Sequence, residues 1–507
     1  MAWRNMISGE SKLPEKVMIL DTTLRDGEQT PGVALTIDAK MEIAKALDEL
    51  GVDVIEAGFP IVSRGEEEAV KRIVKENLDA EICVLARADR RDIDKALECD
   101  VDWIHIFIAT SNIHLTHKLK MTREEVLKKI EEAITYAKDH GVVVHFSAED
   151  ATRTDLEFLV KVFKVAEESG ADSVDIPDTV GFAIPIVMKK IVSKVRENVK
   201  IPVAVHCHDD MGLAVANSLA GVEAGAEIVH VTINGIGERA GNASLEEVVV
   251  SLHTLYGVKT NVKLEKIYEL SRLVEKLTEI IVPKNKAIVG ENAFSHESGI
   301  HVHGVISSPE TYEPIDPSIV GRNRKIIIGK HSGRHSIEEL SKQFGIRLTS
   351  EQTLKVLMEV KKKCDQGIKM TETEFLKIIE EVCGKEVFKK PVDIRGILVE
   401  NTLDKSIAIL SLNEPNNKLY FGVGRNQLEA FLEIFKQILM EEKGAEVKDY
   451  KIWFAQKPKG YSESEVILSV NGLEFIGRGV HPDPYIAFAQ AFINAFIQSM
   501  QRGGANG

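Results

Sequence analysis

The sequence predicts an α/β protein: a TIM (β/α)8 barrel, then a helical linker region, then a small α+β C-terminal domain built from a duplicated unit. Three observations predict it. Eight short apolar runs alternate with amphipathic helical stretches between about residue 17 and residue 260. Each run passes at its C-terminal end into polar or glycine residues, which is where barrel enzymes carry their chemistry. Beyond about residue 391, a strand, a G-x-G and an amphipathic helix follow one another twice. A doubly wound open sheet is the alternative for the first half. The concentration of His, Asp, Glu, Arg and Thr at one end of the strands favours the barrel.

The predicted strands are Val17–Asp21, Val54–Gly58, Glu81–Ala86, Trp103–Phe107, Val142–Ser147, Ser173–Pro177, Val203–His206 and Val229–Asn234. Stretches such as Asp38–Leu50 and Arg123–His140 space their apolar residues as helices do. This gives a catalytic barrel over 1–280. The segment 281–390 is expected to be a linker that contributes to the active site. Within it, Pro283, Gly290 and the His-rich run His296–Gly304 read as an irregular connector, and helices follow at Ser350–Cys364 and Thr373–Cys383. In 391–507 the run Leu419–Gly424 leads into a helix Gln427–Leu439, and Leu473–Gly479 leads into a helix Pro484–Phe496. That domain holds no cluster of catalytic residue types, which suits a binding or assembly role.

Composition narrows the function. A net charge of -14 disfavours bulk nucleic-acid binding but allows a local basic pocket for an anionic substrate. The five cysteines are scattered and form no C-x-x-C pair, as expected of a reducing cytoplasm. Met1–Lys16 lacks the apolar core of a signal peptide, and no apolar run reaches the length of a membrane span.

The chemistry concentrates in Asp21-Thr-Thr-Leu-Arg25-Asp26-Gly-Glu-Gln29 and in His206-Cys207-His208. On a strand, residues i and i+2 share a face. His206 and His208 can therefore grip one divalent ion from one strand end, with Asp26 closing the site from another. A lone H-x-H is more often a pair of buried residues. The polar run around Asp26 weighs against that here. Cys207 then faces the other way and reads as packing.

The first of these runs, continued through Thr-Pro-Gly32, resembles the first signature of the 2-isopropylmalate, citramalate and homocitrate synthase family. Asn234-Gly-Ile-Gly-Glu-Arg-Ala-Gly-Asn242-Ala resembles the second. His296–Gly304, Thr311–Asp316 and Gly329–Gly333 resemble the family's connector, and the terminal repeat resembles its regulatory domain. The resemblance implies that Asp26, His206, His208 and Asn242 hold a divalent metal: Mn²⁺ or Mg²⁺ first, Zn²⁺ or Co²⁺ as alternatives. From spacing alone Asn242 is equally a helix cap before Ala243–Val250. Arg25, elsewhere a solvated charge, is implied to stabilise the oxygen anion that develops on a ketone. Glu149 and His296, assisted by Tyr312, are implied to form the acid–base couple that deprotonates acetyl-CoA. His296 is expected to act from a neighbouring subunit, which implies a homodimer or larger homo-oligomer. Gln29, His105, Ser147 and Thr179 are expected substrate contacts. Gly235, Gly237 and Gly241 are expected to let backbone approach the coenzyme.

The reaction implied is a Claisen-type condensation of acetyl-CoA with a 2-oxo acid, the long connector and terminal repeat suiting the synthases rather than a related lyase. Homocitrate synthases carry Arg where this chain has His145, so a second substrate carboxylate would be buried unpaired. This leaves 2-oxoisovalerate or pyruvate. Glu56–Pro60 and His105–Ser111 look more like the isopropylmalate enzymes, for which leucine is the expected effector at the C-terminal domain.

Overall fold

Strand periodicity decides what each barrel strand buries. The strands are β1 (Met18–Asp21), β2 (Val54–Glu56), β3 (Glu81–Arg87), β4 (Trp103–Ala109), β5 (Val143–Glu149), β6 (Ser173–Asp178), β7 (Val203–Cys207) and β8 (Ile228–Val231). In the computed structural model they pair in parallel and in sequence order, and β1 closes on β8 with Leu20 opposite His230. One set of alternate residues, including Ile19, Ile55, Ile104, Val144, Val174, Val205 and Val229, packs under the helices. The opposite set faces the lumen, and it is layered. Leu20, Val54, Cys83, Trp103, Ala204 and Ile228 form an apolar plug. Further along the strands the lumen turns polar, with Glu56, His105, His145, Ser147, Asp175, His206 and His230, all buried. The structure describes residues 13–343, 348–383, 394–402, 404–412, 418–440, 445–453, 462–471 and 473–503. They form two compact units, Met1–Ser295 with Glu313–Lys325, and His296–Tyr312 with Ile326–Gly507.

The eighth strand differs from expectation. It ends at Val231, and Ile233–Gly235 is a 3-10 turn in which Asn234 takes φ 62°. Asn234 accepts this left-handed conformation more readily than most residues. Its side chain is anchored by Ser271, whose carbonyl accepts from Nδ2 at 2.9 Å.

The loop after β1 is held from outside the site. Lys40, on α1 (Ile37–Leu50), is 2% exposed and reaches Glu28 and Glu66, each at 2.6 Å, and the carbonyl of Leu24 at 3.2 Å. Glu66 lies on α2 (Arg64–Val74) and also accepts from Phe59 N at 3.0 Å. One buried ammonium thus ties the segment carrying Arg25 and Asp26 to two helices. Lys40→Met leaves two carboxylates without their cation. It is expected to lower unfolding stability by about 3 kcal/mol, read from the shift of a urea midpoint.

In the second unit the His-rich run is more regular than its sequence suggests: Gly299–Ser307 is a helix. A helix at Arg334–Gln343 also lay outside the sequence reading, and Ser350–Asp365 and Glu372–Cys383 follow. The terminal repeat is two antiparallel three-stranded sheets, each followed by a helix. The first comprises β9 (Ile394–Asn401), β10 (Ser406–Leu412) and β11 (Leu419–Gly424) before Gln427–Leu439. The second comprises β12 (Ala445–Trp453), β13 (Ser462–Val470) and β14 (Leu473–His481) before Pro484–Gly503. The G-x-G pairs have a packing reason. A Cβ on Gly422 would meet Ala430 O at 1.9 Å, and one on Gly477 would meet Ala491 O at 2.0 Å. Each helix therefore lies directly on its strand, and Phe435 and Phe492, one from each repeat, stack with centroids 3.8 Å apart.

Candidate active site

At the end of β1 the chain turns into a 3-10 helix, Gly27–Gln29, with Asp26 at its N-cap. The Asp26 carboxylate is buried and faces the end of β7. Its Oδ2 lies 3.6 Å from His206 Nε2 and 3.9 Å from His208 Nε2, and those two nitrogens are 3.3 Å apart. Asn242 Nδ2 donates to Asp26 Oδ1 at 2.8 Å. The structure therefore brings Asp26, His206, His208 and Asn242 together. Cys207, between the two imidazoles, is buried in the layer under the helices.

Electrostatics leaves these groups in the state a cation needs. Burial would raise the Asp26 carboxyl, but Arg25, then His206 and His208, outweigh it and hold it below the ordinary range. Burial, and then the neighbouring His208, push His206 down to about 3, and burial lowers His208. One carboxylate and two neutral imidazoles thus point lone pairs at a common centre. Asn242 Oδ1 is a buried acceptor with no hydrogen-bond partner among the described residues. This donor set fits a divalent ion with positions left open.

A second group, His105, His145 and Asp175, is equally close-set. It does not fit a metal, because every ring nitrogen is already engaged. His105 bonds Glu56 through Nδ1 at 2.6 Å and Ser147 Oγ through Nε2 at 2.7 Å. His145 bonds Ser173 Oγ through Nδ1 at 2.6 Å and His230 through Nε2 at 3.0 Å. Ser147 donates in turn to Asp175.

Arg25 is no solvated charge. Its Nη1 donates to Asp26 Oδ2 and its Nε to Glu56 Oε2, both at 2.6 Å, with the side chain 9% exposed. Glu56 went unread as a site residue. Burial raises its carboxyl, while Arg25 and then His105 hold it at about 2. His145, His230 and Asp175 were missed as parts of this network too. Each is a polar residue between apolar neighbours on a strand, at lumen parity, and that is a signal the sequence carries.

The other expected residues lie as follows. Ser147 and His105 are buried in the lumen network. Glu149, at the end of β5, is ion-paired with Lys118 at 2.5 Å and has His114 Nε2 at 3.8 Å. Thr179 Oγ1 accepts from Asp150 N at 2.9 Å, and its carbonyl accepts from Arg239 at 2.8 Å. Gln29 is exposed. His296 and Tyr312 belong to the second unit, where Tyr312 stacks on His301 at 4.2 Å.

Gly235, Gly237 and Gly241 have a local reason to be glycine. A Cβ on Gly237 would stand 2.1 Å from Asn242 Nδ2 and 2.8 Å from Asp26 Oδ1. One on Gly241, where φ is +92°, would stand 1.9 Å from Gly235 O. The turn is thus folded tightly against Asn242 and Asp26.

Comparison with known proteins agrees with this geometry. A family model described as HMGL-like matches residues 16–274, and one described as homocitrate synthase post-HMGL domain-like matches residues 288–368. The 2-isopropylmalate synthase of Methanocaldococcus jannaschii is 51% identical over 447 residues, covering 87% of this chain and 86% of that protein. The probable 2-isopropylmalate synthase of Methanopyrus kandleri is 52% identical over 503 residues, covering 97% and 99%. The (R)-citramalate synthase of M. jannaschii is 55% identical over 374 residues, covering 74% and 76%. Among solved structures, the HMG-CoA lyase of Bacillus subtilis matches 54% of this chain and 96% of its own, with a TM-score of 0.50 and 22% identity, a likeness of fold.

Proposed function

The chain belongs to the HMGL-like family, within its 2-isopropylmalate, citramalate and homocitrate synthase branch, and from that premise we propose that it condenses acetyl-CoA with 2-oxoisovalerate, releasing 2-isopropylmalate and coenzyme A. One observation carries the choice of oxo acid. Similarity to a probable 2-isopropylmalate synthase runs over 97% of the chain, against 74% for the citramalate synthase. On this reading the enzyme opens the leucine branch of amino-acid synthesis. Pyruvate, giving citramalate, is the second reading, since the same catalytic parts serve it and the two substrates differ by only a few kcal/mol of pocket contacts.

Asp26, His206, His208 and Asn242 would hold a divalent cation, Mn²⁺ or Mg²⁺ by preference, which supplies Lewis-acid polarisation of the ketone. Arg25 supplies fixed positive charge beside that site. Because Glu56 and Asp26 clamp its guanidinium, it needs no reorganisation as negative charge grows on the ketone oxygen. The acetyl methyl loses a proton to the couple assigned to Glu149 and His296, with Tyr312 assisting. The resulting carbanion equivalent forms the new C–C bond at the ketone carbon, and the alkoxide takes up a proton. Water then cleaves the thioester. Gln29, His105, Ser147 and Thr179 are assigned to the oxo acid, and the turn of Gly235, Gly237 and Gly241 to the coenzyme. The reading extends to a homodimer in which His296 serves the partner's barrel, and to leucine as inhibitor at the C-terminal domain. Among the described residues no helix is long and apolar enough to cross a membrane, and the five cysteines are free thiols, which suits a cytoplasmic setting.

The test is a panel of oxo acids with free-thiol release as the readout. With Mn²⁺ and acetyl-CoA, 2-oxoisovalerate is expected to give a kcat/KM at least about tenfold above pyruvate. The reverse ranking selects the citramalate reading, and no thiol release with any oxo acid ends both. Leucine is expected to inhibit; indifference to leucine removes the regulatory assignment.

A further inference from the structure

The polar lumen contains more histidine than the proposed reaction uses. His230, on β8, is buried, and each of its ring nitrogens faces another imidazole nitrogen. His206 Nδ1 lies 3.3 Å from His230 Nδ1, and His145 Nε2 lies 3.0 Å from His230 Nε2. His145 Nδ1 continues to Ser173 Oγ at 2.6 Å. The run His206–His230–His145–Ser173 passes from β7 to β8, crosses the lumen to β5 and ends on β6.

We propose that His230 is a positioning residue for His206, fixing which ring nitrogen that ligand presents to the metal, as the first link of a hydrogen-bonded wire through His145 to Ser173. The inference rests on the metal-site reading above. A neutral imidazole has one donor and one acceptor nitrogen. If His206 offers its Nε2 lone pair to the ion, its proton sits on Nδ1 and needs an acceptor, and His230 Nδ1 is the atom placed to be one. His230 then carries its own proton on Nε2 and donates to His145 Nε2. His145 in turn donates from Nδ1 to Ser173. A single direction of donation satisfies every nitrogen in the wire, and reversing any ring sets two donors or two acceptors face to face. His208 is not held this way, because its Nδ1 is buried with no hydrogen-bond partner among the described residues. The tautomer of one imidazole ligand is therefore set by the lumen, and partners of this kind commonly contribute ten- to a hundredfold in metal affinity.

The alternative role for His230 is packing, since its ring also lies edge-on to His105 at 5.5 Å. The two roles separate in the full chain by Mn²⁺ titration followed by EPR, with thermal melts checking the fold. His230→Phe keeps the ring and removes the acceptor, and is expected to weaken Mn²⁺ binding by about ten- to a hundredfold. His230→Asn places a carbonyl where Nδ1 stood and is expected to stay within about threefold of wild type, whereas His230→Gln mimics only Nε2 and should fall at least about tenfold. Wild-type affinity in a folded His230→Phe overturns the proposal, as does a loss in His230→Asn equal to that in His230→Gln. If His230→Phe does not fold, the contrast between Asn and Gln decides. Absence of Mn²⁺ binding by the wild type is the distinct outcome that removes the metal-site reading itself.

Discussion

Arg25→Met is expected to lower kcat for thiol release by about three orders of magnitude, the loss that follows removal of one preorganised charge at a developing oxyanion. The same substitution should cost about 3–5 kcal/mol of stability in metal-free protein, because it leaves Asp26 and Glu56 buried without their shared cation. The two effects have different pH signatures. In the wild type Glu56 titrates at about 2 in the fold, below the roughly 4.3 of an unfolded glutamate. Its depressed value adds stability that is present above about pH 4 and lost as pH falls through the folded value. Without Arg25, only His105 opposes the burial penalty, and the Glu56 carboxyl is expected to rise above its unfolded value. The ionised group then opposes folding at neutral pH, and acidification relieves the penalty. The stability gap between the two proteins should therefore narrow from pH 7 to pH 5 in urea titrations with chelator present. A gap that stays constant would mean the arginine's ion pairs contribute little and the loss is one of packing.

The same residues show what a sequence can disclose. Asp26 and Arg25 were legible because they stand in a polar run directly after the first apolar strand, and His206 and His208 because strand parity puts them on one face. The eight barrel strands were legible for the same reason: a strand buried on both sides is a short apolar run with sharp polar ends. The last strand was overextended through Ile233 and Asn234, because an apolar residue followed by Asn gives no warning of a left-handed turn. The helix at Gly299–Ser307 was hidden by its two glycines and two histidines, which have weak helix propensity; buried Val302 and Val305 hold it. Glu56, His145, Asp175 and His230 each stand out as a polar residue at lumen parity in an apolar strand, but what they bond to is not legible. Their partners come from other strands, so only the closed barrel shows that they form one network.

Gly241→Ala is expected to be the most disruptive single-methyl change in the barrel. The added Cβ would stand 1.9 Å from the carbonyl oxygen of Gly235, an atom of backbone that cannot rotate away. That oxygen accepts from Asn242 N at 3.0 Å, and the Gly241 carbonyl accepts from Asp209 N at 2.9 Å. Relief of the clash must therefore move Asn242, a proposed metal ligand, or the segment just after His208, another. Left-handed strain alone is a smaller matter, about 1 kcal/mol for an alanine at positive φ. Gly141 isolates that smaller term: its φ is +83°, and among the described residues nothing lies within 4 Å of the position a Cβ would take. Gly141→Ala should shift a urea midpoint by about 1 kcal/mol and leave Mn²⁺ affinity unchanged. Gly241→Ala should cost about 3–5 kcal/mol, the range that marks a specific steric conflict, and weaken Mn²⁺ binding by at least about tenfold. If the two variants behave alike, the turn has slack that its close contacts do not suggest, and its glycines are free to serve the coenzyme alone.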